Sequence, residues 1–272
     1  MSKVPKRLII NADDYGRSPE ISRGIREAHL RGVVTSTTCM MNIRTTARDI
    51  AMALHETPDL KMGIHLVLTA KKPILPRQWV KSITDEDGNF LKPKAFFTDL
   101  PNIDILEVKA EWRAQIEAFI AASGEKPSHL DSHHHSSYAS SGLFKAMLEL
   151  AKEYDCPIRY PVPSNGVPTE FAETARHAPT LLQEFDPRRP DHFIAAFYDE
   201  GATKENLLDI LSKLPDGISE LMCHPGYVDQ EFAEKESIYN FQRNREVTIL
   251  TDPAIKQAIK ANNIELISFA NL

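Results

Sequence analysis

Short apolar runs rich in β-branched residues alternate with helix-like segments along the whole 272-residue chain. The strand-like runs are Arg7–Ile10, Val33–Met41, Met62–Leu68, His129–Asp131, Pro157–Tyr160, Phe193–Tyr198, Glu220–Cys223 and Ile264–Phe269. Repeated strand–helix–strand units require parallel strands joined by right-handed crossovers. We therefore predict an α/β fold that is (β/α) barrel-like, with seven to eight mainly parallel strands. An open doubly wound sheet is the alternative, because a sequence does not show whether a sheet closes.

The first helix has clear end signals. Ser18 is a suitable N-cap, Pro19 suits the first helical position, and Gly32 is placed to end the helix. Further helices are predicted near Ala47–His55, Ile105–Ala122, Gly142–Tyr154, Lys204–Leu214 and Pro253–Asn262.

One long insertion interrupts this alternation. Residues Lys71–Lys94 follow the third strand-like run and contain an Asp87-Gly88 turn signal, which predicts a hairpin or a lid. Pro161–Pro168 is predicted to be a loop. Since no linker, internal repeat or low-complexity tract is present, we predict a single domain covering residues 1–272.

The charge pattern excludes some partners. The formal net charge is −6 and no block of lysine or arginine occurs, whereas nucleic-acid binding needs a concentrated basic surface. The three cysteines are widely separated, so no disulfide framework is predicted and a reducing compartment is expected. The apolar stretch after the basic start breaks at Asn11, and no run approaches the ~18 residues of a membrane span. We expect a cytoplasmic protein that acts on a small, neutral molecule.

Acidic residues and histidines cluster where predicted strands end. These clusters are Asn11–Gly16, Gly63–Leu66, His129–His135 and Cys223–Gly226. In a (β/α) barrel the carboxyl ends of the strands open onto one face, and active sites are built there. We therefore expect these four segments to supply one site.

The single residues are ambiguous on their own. Asp13 and Asp14 could simply accept hydrogen bonds from a strand-to-helix turn, and His65 could be an ordinary core histidine. The Asp131–His135 run favours ligation instead, because imidazole and carboxylate together suit a divalent transition metal. His224 could be a loop histidine, but its side chain also suits proton transfer near neutral pH.

Together these motifs resemble those of the YdjC-type carbohydrate deacetylases, which include chitooligosaccharide deacetylases. The matching elements are Asn11–Gly16, Gly32–Thr38, Gly63–Thr69, His129–His135, Cys223–Pro225 and Arg245–Thr251. They span nearly the whole chain in the expected order. The resemblance implies a barrel-like α/β fold, a homodimer and one divalent metal ion.

The resemblance also implies roles for individual residues. It places the metal on Asp14, His65 and His133, and the catalytic base on Asp13. His224 occupies the position of the proton donor in the more distant NodB-type deacetylases. Members of the family are described with magnesium, whereas two imidazoles and one carboxylate suit zinc or another transition metal better.

The predicted reaction is metal-assisted hydrolysis of the N-acetyl group of a small amino-sugar or chitooligosaccharide. Asp131 is predicted to orient a histidine, and Arg159 to contact substrate or Asp13 unless it is a surface arginine. Two other functions stay open: a metal-dependent phosphoesterase on the same fold, and a catalytically silent sugar-binding or regulatory protein.

Overall fold

The computed structural model describes residues 4–161, 171–229, 234 and 239–272. Within these ranges the strands are β1 (Lys6–Tyr15), β2 (Ser36–Cys39), β3 (Lys61–Leu66), β4 (Leu130–Ser132), β5 (His192–Ile194), β6 (Gly217–Cys223) and β7 (Ile264–Ile267). The α-helices are α1 (Pro19–Leu30), α2 (Thr46–Glu56), α3 (Pro93–Thr98), α4 (Ile105–Ser123), α5 (Ser141–Tyr154), α6 (Ala172–Phe185), α7 (Lys204–Ser212), α8 (Phe241–Leu250) and α9 (Pro253–Ala261).

The predicted fold class is confirmed: the chain is α/β and barrel-like in class, with mainly parallel strands. The Pro157–Tyr160 run forms one parallel bridge, between Ile158 and Leu130, instead of a full strand. Pro157 and Pro161 lack the N–H groups that a longer ladder would use, which explains why the pairing stops there. Apart from Pro161, the loop predicted at 161–168 lies outside the described residues.

The predicted start of α1 is confirmed. The Ser18 side chain accepts a hydrogen bond from the Ile21 N–H, and Pro19 is the first helical residue. Gly32 lies just after the helix, where a Cβ would come within 2.3 Å of the Ala28 carbonyl oxygen. That position therefore requires glycine for close packing.

Three helices were not predicted, namely α3, α6 and α8. Helix α6 contains Pro179 in its interior, which is a helix-breaking signal in a sequence. Helix α8 buries Arg243 and Glu246 together with Val247 and Leu250, so it has no simple apolar stripe.

The chain divides into two compact units. Unit 1 comprises residues 1–39, 45–62 and 190–272, and unit 2 comprises residues 40–44 and 63–189. In unit 1, β1 lies between β6 on one edge and β2 and β7 on the other. β7 pairs with Lys6–Ile9, and β2 pairs with the second half of β1. This arrangement buries the middle of β1, including Leu8, Ile9 and Ile10, completely.

Unit 2 contains the paired strands β3 and β4 and the helices α3 to α6. Its Lys71–Lys94 segment contains two short 3₁₀ turns and an antiparallel bridge between Thr84 and Phe90. The turn between the bridged residues includes Gly88, whose φ of 74° is in the left-handed region. A role for this segment as a lid, and the single-domain organisation of residues 1–272, stay predictions.

None of the helices in the described ranges is both long and apolar enough to cross a membrane.

Candidate active site

The register between β1 and β6 brings two predicted functional segments together in unit 1. Ala12 of β1 is paired with Cys223 of β6, so Asp13 and His224 follow at adjacent positions. The loop after β6 is held close to α1, because a Cβ on Gly24 would lie 2.7 Å from the Cα of Gly226. His224 is therefore fixed between a strand end and a tightly packed loop.

Asp13 is buried and has different neighbours on its two carboxylate oxygens. Oδ1 accepts a hydrogen bond of 2.8 Å from the Asn11 side-chain amide. Oδ2 lies 3.9 Å from Nε2 of His224, whose side chain is 14% exposed. The contact with Asn11 orients the carboxylate so that its other oxygen faces the imidazole. A base and an acid in this arrangement could serve the same reacting group from two sides.

Asp14 adopts a left-handed backbone conformation, with φ of 72°, directly after Asp13. Such a conformation is uncommon for a residue other than glycine, and it turns this side chain away from the regular alternation of β1. Its Oδ2 is contacted by Arg17 at 3.1 Å and by the buried guanidinium of Arg243. Two positive charges therefore favour the ionised carboxylate, the form in which aspartate binds a metal.

His224 is held by residues from α8 and from the segment before it. Its backbone N–H donates to the Glu246 carboxylate, which also accepts a hydrogen bond from the Tyr239 hydroxyl. Arg243 Nη1 donates to the His224 carbonyl oxygen at 3.4 Å. Both polar groups of the His224 backbone are thus bound to side chains of α8.

Glu246 is completely buried, and this burial raises its pKa to about 7. Burial also raises the pKa of the Tyr239 hydroxyl, so this tyrosine is neutral and acts as the hydrogen-bond donor to Glu246.

The sequence reasoning assigned no role to Arg243 or Glu246. Their spacing of three residues places them on one side of α8, and both are buried. Two charged residues at this spacing beside Val247 and Leu250 are the signal that could have identified them, because charged side chains are rarely buried without a partner.

In unit 2, His65 and Asp131 lie side by side because β3 and β4 pair them directly. His65 Nδ1 is 2.6 Å from Asp131 Oδ1, and Arg159 Nη1 is 2.9 Å from Asp131 Oδ2. Arg159 is fully buried, so it is not a surface arginine. Since the carboxylate accepts, Nδ1 of His65 carries the proton and Nε2 presents its lone pair.

His133 follows β4 and faces that lone pair. Its Nδ1 lies 3.2 Å from His65 Nε2, and the two rings are at 72°. Two nitrogen ligands about 2.1 Å from one ion, at angles between octahedral and tetrahedral, lie about 3.0–3.4 Å apart. The two imidazoles are therefore spaced as a pair of ligands to one metal ion, although a hydrogen bond between them has the same separation.

The loop after His133 is tightly constrained. His134 and His135 both have positive φ, at 53° and 52°. The Ser132 hydroxyl accepts the Ser137 N–H across this turn at 3.1 Å, and His134 Nδ1 lies 2.9 Å from the Thr69 hydroxyl. These contacts stabilise a backbone conformation that is unfavourable for histidine and fix the direction of His133.

The predicted site residues are thus brought together in two groups. Asp13, Asp14 and His224 lie together in unit 1. A second group lies in unit 2 and consists of His65, His133, Asp131 and Arg159. Buried aspartate and histidine side chains that can supply ligands to a divalent metal ion occur in both groups.

Comparison with known proteins identifies relatives along nearly the entire chain. A family model described as YdjC-like protein matches residues 7–261. A carbohydrate deacetylase of Enterococcus faecalis is 38% identical over 98% of both chains. A chitooligosaccharide deacetylase of Yersinia enterocolitica is 33% identical, over 98% of this chain and 100% of its own length.

Two solved structures are similar to this chain. A crystal structure named as a candidate cellobiose-phosphate cleavage protein from Enterococcus faecalis V583 has a TM-score of 0.87 and 36% identity over 98% of both chains. The Xyl-CE4 domain of a multidomain xylanase, from the hindgut metagenome of Trinervitermes trinervoides, has a TM-score of 0.51 but only 9% identity. It covers 98% of this chain and 89% of its own, and it shows similarity of fold alone.

Proposed function

Because the chain belongs to the YdjC-like protein family, we propose that it is a metal-dependent hydrolase that removes the N-acetyl group from small acetylated amino-sugars or chitooligosaccharides. Carbohydrate deacetylation is the activity named for its full-length relatives. The observation that carries the proposal is the pairing of Asp13 with His224 at 3.9 Å, because amide hydrolysis needs a base for water and an acid for the departing amine.

The proposed metal ligands are Asp14, His65 and His133, each of which is buried and offers one ligand atom. The chemistry of this donor set supports the proposal, since His65 Nε2 and His133 Nδ1 have the spacing of two ligands to one ion. When bound, a divalent ion polarises the acetyl carbonyl and acidifies a water molecule. Two imidazoles favour zinc or another transition metal over magnesium.

Asp13 is the proposed general base. The hydrogen bond from Asn11 to Oδ1 fixes the carboxylate, and Oδ2 is the oxygen that would accept the proton of water. His224 is the proposed general acid, and its Nε2 would donate a proton to the departing amine. The 3.9 Å separation between Asp13 Oδ2 and this nitrogen is longer than a hydrogen bond, and it supports a base and an acid that act on the same reacting group.

Asp131 and Arg159 are proposed as positioning residues. Asp131 accepts from His65 Nδ1, which keeps Nε2 available as a ligand atom, and Arg159 forms a buried ion pair with Asp131. In the proposed role neither residue touches the substrate. Contact of Arg159 with the substrate or with Asp13, the role expected from the sequence, stays a prediction.

The substrate size, homodimer and cytoplasmic location stay predictions. A limit on chain length would follow if the Lys71–Lys94 segment acts as a lid over the site. The sequence supports a neutral sugar, because it has no basic block that would suit a polyanion.

Acetate release tests the proposed function directly. The protein is depleted of metal with a chelator, reloaded with zinc, manganese, cobalt or magnesium, and assayed on N-acetylglucosamine and its dimer. We expect acetate only after reloading, with a transition metal more effective than magnesium. Phosphate release from a phosphorylated sugar, measured in parallel, would instead favour a phosphoesterase. Sugar binding with neither product would favour the silent sugar-binding protein.

A further inference from the structure

Two tyrosines form a stacked pair beside His224 in unit 1. The rings of Tyr198 and Tyr239 are parallel within 4°, and their centroids are 4.6 Å apart. Tyr198 also meets the His224 ring edge-on, with a centroid distance of 5.3 Å. Tyr239 is buried, whereas Tyr198 is 45% exposed. Since Tyr239 covers one face of Tyr198, a ligand would meet this ring on the opposite face or at its edge.

The inner ring of this pair is firmly held. The Tyr239 hydroxyl donates to Glu246 and accepts the Asp199 N–H at 3.1 Å. The guanidinium of Arg243 also lies over the Tyr239 ring, 5.6 Å from its centroid. Because Asp199 directly follows Tyr198, the Tyr239 hydroxyl also fixes the backbone that carries the Tyr198 ring.

Single exposed aromatic rings are common on protein surfaces, so the position of Tyr198 beside His224, and not its exposure alone, is what points to a ligand. The proposed acid must reach the amine of the sugar, so the sugar ring must lie within a few ångströms of His224 Nε2. Tyr198 is in ring contact with this imidazole. The C–H groups on one face of a pyranose carry small positive charges, which are attracted to the negative face of an aromatic ring.

We propose that the exposed face of Tyr198 is a binding platform for the pyranose ring of the substrate, with Tyr239 as its fixed support. The inference rests on the proposed deacetylation, because His224 defines where the amino-sugar must lie. The platform supplies binding energy to substrate and transition state alike. Its loss should therefore raise KM and leave kcat nearly unchanged.

The test compares Tyr198→Leu, Tyr198→Phe and wild type on the N-acetylglucosamine dimer. We expect Tyr198→Leu to raise KM roughly five- to tenfold, which corresponds to the loss of one aromatic contact, with kcat within about twofold. Tyr198→Phe keeps the ring and should retain the wild-type KM. Tyr227→Leu is the control, because Tyr227 is a tyrosine of the same unit whose ring packs against Arg23.

Calorimetric binding of the same dimer separates failure of the platform from failure of the proposed function. Weaker binding to Tyr198→Leu than to wild type supports the platform even if no acetate is released. Equal binding and equal KM would overturn it. A fall in kcat at unchanged KM would also overturn it, since Tyr198 would then act only by packing against His224.

Discussion

Arg159→Met tests the buried network that orients His65. The wild-type Arg159 guanidinium lies 2.9 Å from Asp131, and neither side chain has any exposed surface. Methionine fills similar space without a charge, so the buried Asp131 would lose its contact with the guanidinium and keep its contact with His65. The substitution therefore removes the positive charge of Arg159 while it keeps a side chain of similar volume.

The expected loss follows from this burial. Two unit charges about 4 Å apart attract by about 4 kcal/mol at the effective dielectric constant that describes protein sites. Removing one partner of a buried pair typically costs about 3–5 kcal/mol, because the other charge is left uncompensated. We expect Arg159→Met to lower the free energy of unfolding by that amount at pH 7, as measured by urea denaturation.

Arg113→Met is the matched control. Arg113 forms the same type of ion pair with Glu153 in the same unit, at 2.7 Å, but the two side chains are 39% and 42% exposed. Water screens such a pair, so the expected loss is about 0–1 kcal/mol. The contrast between the two variants measures the effect of burial alone.

A double variant, Arg159→Met with Asp131→Asn, removes the charge that Arg159 compensates. Asparagine still offers an oxygen to His65 Nδ1, so the double variant should be more stable than Arg159→Met alone. Equal losses for Arg159→Met and Arg113→Met would refute the reasoning. So would a double variant that is no more stable than Arg159→Met, because the negative charge left on Asp131 would then not be the cause.

Four further predictions follow from the proposed site. The ligand variants Asp14→Ala, His65→Ala and His133→Ala should each lose bound metal, measured by elemental analysis, together with activity. The control is His177→Ala, which changes an exposed histidine and should retain both metal and activity. Asp13→Asn should keep its metal and lose activity about 10²–10⁴-fold. His224→Ala should lose less activity, relative to wild type, on an activated anilide than on an N-acetyl sugar. Equal losses on the two substrates would contradict the role of His224 as acid. The raised pKa of Glu246, about 7, means that its contribution to stability is fully present below the ordinary value of 4.5 and is lost as pH rises through 7. Glu246→Gln should remove this pH dependence, about 3 kcal/mol in total, and an unchanged profile in thermal or urea unfolding would contradict it. Initial rates should be higher on mono- to trisaccharides of N-acetylglucosamine than on soluble chitin, and a preference for the polymer would argue against a lid.

The sequence by itself determined the fold class and the positions where chemistry collects. Alternating strand and helix patterns are local, and Ser18 and Pro19 mark the start of α1 through contacts within a few residues. The strand-end clusters with Asp13, His65 and His224 could be found for the same reason: each follows or lies within a short apolar run. The register between strands then brought neighbouring clusters together, as with Ala12 and Cys223.

Only the tertiary structure decided what surrounds these residues. The contacts of Arg243 with Asp14, and of Glu246 with His224, join residues that are distant in sequence or lie on different elements. The stacking of Tyr198 on Tyr239 likewise joins separate segments. Such contacts leave no periodic signal, because a buried charge or a supported ring depends on partners brought close by folding. The sequence could therefore identify candidate residues for metal binding and proton transfer. The side chains that hold these candidates in place could be identified only from the folded structure.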